Sequence, residues 1–153
     1  MAIVSARIVN PQAIEQALLK AFESWAEEDI NGEYMATQFL DPGQWPYDAP
    51  IEGTERKSGE VVYSPRNIYD LGSLYRSGRD SFQVVNGQAS WTWDAVNEQG
   101  GAYAWYVHEG LGTNTTPRPW TDDLTIPSKF ESGYEKRQLI AKINAAFSVI
   151  NAR

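Results

Sequence analysis

"DSFQVVNGQASWTWD", residues 80–94, carries the clearest β-hairpin signal in this chain of 153 residues. The dipeptide Asn86–Gly87 favours a type I′ turn, because both positions of that turn need a positive φ. The alternation on either side of the turn then places apolar side chains opposite each other: Phe82 with Trp91, and Val84 with Ala89. One apolar face and one polar face are typical of an antiparallel sheet that packs on one side.

The N-terminal part of the chain predicts an amphipathic helix over residues 10–25. Asn10 can cap this helix, and Pro11 suits its first turn, where a backbone N–H is not needed. Apolar side chains recur there every three or four residues, at Ile14, Ala17, Leu18, Ala21, Phe22 and Trp25.

A second amphipathic helix is predicted near the C-terminus. Ser128 with Glu131, or Ser132 with Glu135, has the spacing of a capping box at its start. The apolar stripe that follows consists of Leu139, Ile140, Ile143, Ala146, Phe147 and Ile150.

The segments between these elements are shorter and less regular. Residues 41–59 are dense in Pro and Gly, which predicts a long loop or arm. Residues 60–64 read as a short edge strand, and residues 69–77 as two helical turns. "GGAYAWYV", residues 100–107, fits a third strand or a short helical segment, and we assign Tyr103–Val107 as a core strand.

The order of these elements predicts a single α+β domain over residues 1–153. A small antiparallel sheet would be packed by the N-terminal and C-terminal amphipathic helices, with the long loop 41–59 beside it. A chain of this length buries roughly 68–70% of its unfolded surface, so it can form a core of its own.

Composition excludes several classes of function. Thirteen Lys and Arg face twenty Asp and Glu, a net charge of −7, and no cationic face suited to nucleic acid is evident. Cysteine is absent, which removes disulfides and thiolate chemistry. No apolar run is long enough to span a bilayer or to form a signal peptide. We therefore expect a soluble intracellular product without a membrane partner.

The chain's only histidine stands beside a carboxylate, as His108–Glu109. A zinc-protease motif would need a second histidine four residues on, and neighbours on a strand point to opposite faces. The pattern therefore indicates a surface or interface histidine. We expect no catalytic residue, no metal site and no cofactor, and the sequence gives an enzyme no positive support.

A carbohydrate-binding module is the alternative of another class. Trp91 and Trp93 on one strand face could stack on sugar rings, in keeping with an acidic, Trp-rich composition. The same side chains are needed for the apolar face beneath the helices, so turning them outward would leave that face without a core.

Two segments, taken together, resemble a family of tailed-phage neck proteins, the head–tail connector or tail-completion proteins. They are "YDLGSLYRS", residues 69–77, and "YAWYVHEGLGTNTTPRPW", residues 103–120. The resemblance covers roughly residues 65–150. Leu71 replaces the family's usual Thr, His108 takes the place of its Glu, and Leu111 splits its Gly-Thr pair. A tail terminator ring protein is the closest alternative within the same structural class.

The resemblance implies a structural virion protein, assembled in the host cytoplasm and located in the neck. It would form a six- or twelve-fold ring with itself and contact the portal or adaptor and the tail terminator or tail-tube proteins. Genomic DNA would pass through without specific binding. The candidate interface residues are Gly72, Leu74, Arg76, Tyr106, His108, Glu109, Arg118 and Trp120.

Individual segments take roles in this ring. Residues 72–76 would form a subunit contact, and the loop 41–59 would reach a neighbour. Residues 110–120 would form a Pro-stiffened docking loop with Arg118 and Trp120 as anchors, since Trp and Arg dominate interface energetics. The alternative for Trp120 is a position in the local core. The acidic end of the first helix, Glu27, Glu28 and Asp29, would line the lumen and repel DNA.

Overall fold

The computed structural model describes residues 10–45, 53–64, 67–68, 71–95, 100–101, 103–111 and 116–151. Within these ranges the fold is mixed α+β, as predicted, with helices toward both ends and two separate two-stranded antiparallel sheets. The helices are α1 (Pro11–Ser24), a π-helical segment (Trp25–Tyr34), α2 (Met35–Leu40), α3 (Ser73–Asp80), α4 (Ala104–Glu109), α5 (Asp122–Thr125), α6 (Pro127–Ser132) and α7 (Tyr134–Asn151). The strands are β1 (Thr54–Glu55), β2 (Val61–Val62), β3 (Gln83–Val85) and β4 (Gln88–Ser90).

The first helix begins as its sequence predicts but does not end where expected. The Asn10 side chain accepts a hydrogen bond from the backbone N–H of Ala13 at 3.0 Å, and Pro11 lies in the first turn. The backbone then stays helical through the π-helical segment and α2 to Leu40. The acidic triplet 27–29 therefore lies inside a long helix, where the dipole of a helix end does not act on it.

The β3–β4 hairpin matches the prediction residue for residue. Asn86 and Gly87 both have positive φ, at 52° and 73°, and Val84 pairs with Ala89. The rings of Phe82 and Trp91 lie 5.1 Å apart between centroids, just beyond the paired strands. Turn chemistry alone fixes this register.

The segment 41–59 is not one long loop. Residues 53–59 belong to a β1–β2 hairpin in which Thr54 pairs with Val62, and Val61–Val62 confirms the strand predicted over residues 60–64. The Arg56 guanidinium supports this hairpin by contacting Glu60 Oε2 and the Asn67 carbonyl, both at 2.8 Å. Of the rest of the expected arm, residues 41–45 form a turn after α2, and residues 46–52 lie outside the described residues.

The assignment of Tyr103–Val107 as a core strand is wrong, because this segment forms helix α4. Ala104 is buried against the core, and Gly110 ends the helix in the left-handed conformation at φ 67°. The backbone N–H of Leu111 then donates to the Tyr106 carbonyl at 3.1 Å, which closes the last turn. Helix α3 spans Ser73–Asp80, so it overlaps the helical turns predicted over residues 69–77 but ends three residues later.

Neither predicted capping box forms at the C-terminal helices. The Ser132 hydroxyl donates to the Ser128 and Lys129 carbonyls instead of accepting from the next turn. Helix α6 starts at Pro127 without a side-chain cap, and α7 starts separately at Tyr134. Helix α7 packs along α1, and the predicted stripe is half-buried at Leu139, Ile143, Ala146 and Phe147 but exposed at Ile140.

Trp120 lies at the centre of the core. It is 2% exposed, and its ring lies 5.2 Å from that of Phe39 and 5.6 Å from that of Trp93. The surrounding core consists of Trp25, Ala26, Ile30, Tyr34, Met35, Leu74, Tyr75, Ala95 and Ala104. Across the part of the chain that the structure describes, the helices are too short or too polar to span a membrane.

Helix α7 is tied to the π-helical segment by an ion pair. Lys142 Nζ lies 2.7 Å from Glu28 Oε2 and 3.3 Å from Asp29 Oδ2. The hydrogen bond from Lys142 lowers the pKa of Glu28, and the same bond raises the pKa of Lys142. The pair therefore stabilises the fold above the ordinary Glu pKa and below the ordinary Lys pKa. This stabilisation is lost when the pH falls through the lowered pKa of Glu28 or rises through the raised pKa of Lys142.

We expect Lys142→Met to lower the urea midpoint at pH 7, with the difference from wild type shrinking below about pH 4. Unfolding followed by circular dichroism at both pH values measures this. Lys136→Met is the matched control, since among the described residues Lys136 pairs only with the exposed Glu131, whereas Lys142 also contacts the largely buried Asp29, and exposed pairs contribute little. An equal loss for both variants, or a loss independent of pH, would contradict the assignment.

Candidate functional site

Helix α4 and the residue that follows it present apolar side chains to solvent. Trp105 is 62% exposed, Tyr106 55% and Leu111 55%. Large aromatic side chains are costly to leave in water, and Trp and Tyr are enriched where proteins meet. We call these three residues the α4 apolar surface.

The opposite side of α4 is fixed to the core. The His108 ring stands edge-on to that of Trp120, with 4.8 Å between centroids. The backbone N–H of Arg118 donates to the Val107 and His108 carbonyls at 3.2 and 3.0 Å. The α4 apolar surface is therefore displayed on a rigid base, which reduces the entropy lost when a partner binds.

His108 lies between a hydroxyl and a carboxylate. Its Nδ1 is 2.7 Å from Glu109 Oε1, and its Nε2 is 2.9 Å from Thr121 Oγ1. The expectation that His108 and Glu109 point apart is wrong: the segment is helical instead of extended, and the Glu109 carboxylate reaches the His108 ring. With Nδ1–H donating to the carboxylate, Nε2 accepts the Thr121 hydroxyl proton. Sequence reasoning missed Thr121, which follows thirteen residues later and has no motif around it.

A hydroxyl, an imidazole and a carboxylate in this order resemble a nucleophile with its base. Acyl transfer also needs oxyanion donors, and the N–H after the nucleophile usually supplies one. Here that N–H belongs to Asp122, and it already donates to the Pro119 carbonyl at 3.1 Å. The observed contacts of Thr121 thus anchor the imidazole of His108 and, through it, helix α4.

The predicted docking anchors lie inside the chain. Trp120 fills the core, and Arg118 is 7% exposed. The Tyr34 hydroxyl donates to the Trp120 carbonyl at 2.6 Å, which holds this turn against the π-helical segment. Residues 116–120 therefore do not project as a docking arm, and residues 112–115 lie outside the described residues.

The candidates on α3 divide by exposure. Gly72 is buried and adopts φ 79° as the N-cap of α3, and Leu74 is also buried. Arg76 is exposed, with Nη2 donating to the Leu71 carbonyl at 2.8 Å. Arg76 is therefore the side chain of this group that a partner can reach, whereas Gly72 and Leu74 serve packing within the chain.

The acidic triplet is also divided. Glu27 and Glu28 are exposed, whereas the Asp29 side chain is 17% exposed and lies against Lys142. Two of the three carboxylates are paired within the chain through Lys142. Glu27 alone remains as an exposed carboxylate of this group without a cation partner among the described residues.

Trp91 and Trp93 face inward. Trp93 packs on Trp120, and Trp91 Nε1 donates to Asn31 Oδ1 at 3.1 Å. An apolar cavity of about 500 Å³ remains beside them, lined among others by Phe22, Trp25, Met35, Trp91, Trp93 and Leu124. The two rings do not form the exposed stacking platform that sugar binding would require.

Within the described ranges, no group of three or more His, Asp or Glu side chains is arranged to hold a metal ion. No family model, curated protein or solved structure matches this chain.

Proposed function

We propose that this protein is a structural, non-enzymatic component of the neck of a tailed bacteriophage, where it forms an oligomeric ring that joins head to tail. The observation that carries the proposal is the α4 apolar surface, because it lies in the segment whose sequence resembles the neck family. Trp105 and Tyr106 stand on a helix whose other side is anchored by Trp120. Such rigid aromatic pairs are the usual energetic centres of protein interfaces.

Charge is compatible with this role. The net charge of −7 is multiplied in a ring, and a negative lumen does not retain DNA through counterion release. Because Glu28 and Asp29 are paired with Lys142, Glu27 is the member of the acidic triplet that would act on passing DNA.

The location is tested on purified virions. We expect mass spectrometry to detect the polypeptide in particles, and immunogold electron microscopy to label the junction between head and tail. Labelling elsewhere on the particle, or absence of the polypeptide from virions, would refute the proposed function. Labelling at the distal side of the junction would favour the tail terminator alternative.

The interface is tested by the double substitution Trp105→Ala and Tyr106→Ala. We expect ring formation, measured by mass photometry with the head-side partner present, to weaken at least tenfold, about 1.4 kcal/mol. The melting temperature should change little, because both side chains are exposed. Val149→Ser removes an exposed apolar side chain of α7 and should leave assembly intact. Unchanged assembly in the double variant would exclude the α4 apolar surface as the interface.

A further inference from the structure

A second candidate site is an acidic cavity of about 210 Å³ between the π-helical segment, α5 and the start of α7. Four carboxylates line it, and its lining contains no Lys, Arg or His. The lining residues that matter for its chemistry are Asp29, Glu33, Tyr34, Gln38, Asp123 and Glu135. Its lining shares no residue with the α4 apolar surface and only Ile30 with the apolar cavity beside Trp91 and Trp93.

Most of these carboxylates lack a cation of their own. Asp29 pairs with Lys142, but Glu33, Asp123 and Glu135 form no ion pair among the described residues. Glu135 is the strongest case, since it is 9% exposed and its carboxylate accepts no hydrogen bond from any described residue. The Glu135 carboxylate oxygens are not sealed from solvent, so this negative charge faces the cavity without a cation, and a cationic ligand would complement it.

Tyr34 lines the cavity, and the pKa of its hydroxyl responds to the negative charges around it. Burial raises the pKa of its hydroxyl well above the ordinary value, and the charges of Asp123, Glu135 and Asp122 raise it further. These carboxylates therefore act on one point from two helices. Three cations adjoin the cavity without lining it. Lys142 contacts Asp29 at 3.3 Å, Lys129 contacts Asp122 at 2.9 Å, and Arg137 lies over the Tyr134 ring at 5.8 Å.

The cavity suits a guanidinium group. The carboxylates are too dispersed to form a metal-ligand cluster within the described ranges. The volume of 210 Å³ is below the roughly 300–1,000 Å³ of small-molecule sites, so it fits one side-chain head group. A guanidinium carries five N–H donors in a plane and can serve several carboxylate and amide oxygens at once. We propose that this cavity binds an arginine side chain of a partner protein.

The test is a titration of the ¹⁵N-labelled full chain with N-acetyl-arginine methylamide, followed by NMR. We expect salt-sensitive shifts in α5 and the first turn of α7, with a dissociation constant of roughly 1 mM. The citrulline analogue has nearly the same shape without the charge and should produce none. Glu135→Gln and Asp123→Asn should each weaken binding about tenfold, whereas Glu15→Gln, which removes an exposed charge on α1, should not.

Several outcomes would overturn the proposal. These are equal shifts with citrulline, no shifts at about 20 mM ligand, or wild-type affinity in both cavity variants while their spectra remain folded. Tighter binding of free arginine than of the capped form would identify a metabolite site instead of a docking site for a partner. Arginine binding by the isolated chain does not depend on the neck assignment, so absence of the polypeptide from virions would leave this result standing.

Discussion

Replacement of Trp120 by alanine is expected to lower the free energy of unfolding by about 3–5 kcal/mol, the range found for buried aromatic side chains. Trp120 is 2% exposed and touches the rings of Phe39, Trp93 and His108. Its removal leaves a cavity that these rings cannot fill without moving the hairpin and α4. At about 2–4 °C per kcal/mol for a chain of this size, the melting temperature should fall by about 10 °C, which calorimetry measures.

Two matched variants separate the loss of core packing from the loss of a hydrogen bond and from the loss of an exposed Trp side chain. Trp120→Phe should cost less than half as much, because the indole N–H of Trp120 has no acceptor among the described residues, so no hydrogen bond is lost. Trp105→Ala removes the same side chain from an exposed position and should leave the melting temperature nearly unchanged. Comparable losses at positions 105 and 120 would mean that the assignment of core and surface is wrong.

Elements fixed by local chemistry could be predicted from the sequence. The hairpin follows from Asn86–Gly87, since few other residue pairs adopt two positive φ values. The start of α1 follows from the Asn10 cap and Pro11. Both signals act over a few residues, so no knowledge of the tertiary structure is needed to read them.

Elements decided by distant contacts were misread. "AWYV" is apolar at four consecutive positions and fits a strand or a buried helix equally well. Its helical form depends on the burial of Ala104 and on the Gly110 cap. The helix that continues past Trp25 likewise buries Ala26, Ile30 and Tyr34 in the core, and Lys142 reaches its Glu28 from 114 residues further along the chain.

The candidate sites follow the same division. The type of a residue does not show whether its side chain is exposed. Trp120 and Tyr106 are both predicted to lie at an interface, but only Tyr106 is exposed. The acidic cavity could not be anticipated, because Glu33, Asp123 and Glu135 lie far apart in sequence and converge only when α5 and α7 pack against the π-helical segment.

Gly78→Ala is expected to destabilise the protein by at least about 2 kcal/mol, although alanine is the better helix former. A Cβ at position 78 would lie 2.1 Å from Trp93 Nε1 and 2.4 Å from Trp93 Cε2. Trp93 cannot retreat, since its other side packs on Trp120. Overpacking of this kind typically costs 1–3 kcal/mol or more, which exceeds the gain of up to about 1 kcal/mol from replacing a helical glycine.

Gly32→Ala provides the matched control for this prediction, because a Cβ at position 32 would meet only the Glu27 carbonyl oxygen, at an ordinary 3.5 Å. Without a clash, helix propensity decides, and Gly32→Ala should be neutral or stabilising by up to about 1 kcal/mol. Urea unfolding of both variants measures the opposite signs. Stabilisation by Gly78→Ala would mean that the Trp93 ring does not lie on α3, and the packing of the hairpin against Trp120 would have to be revised.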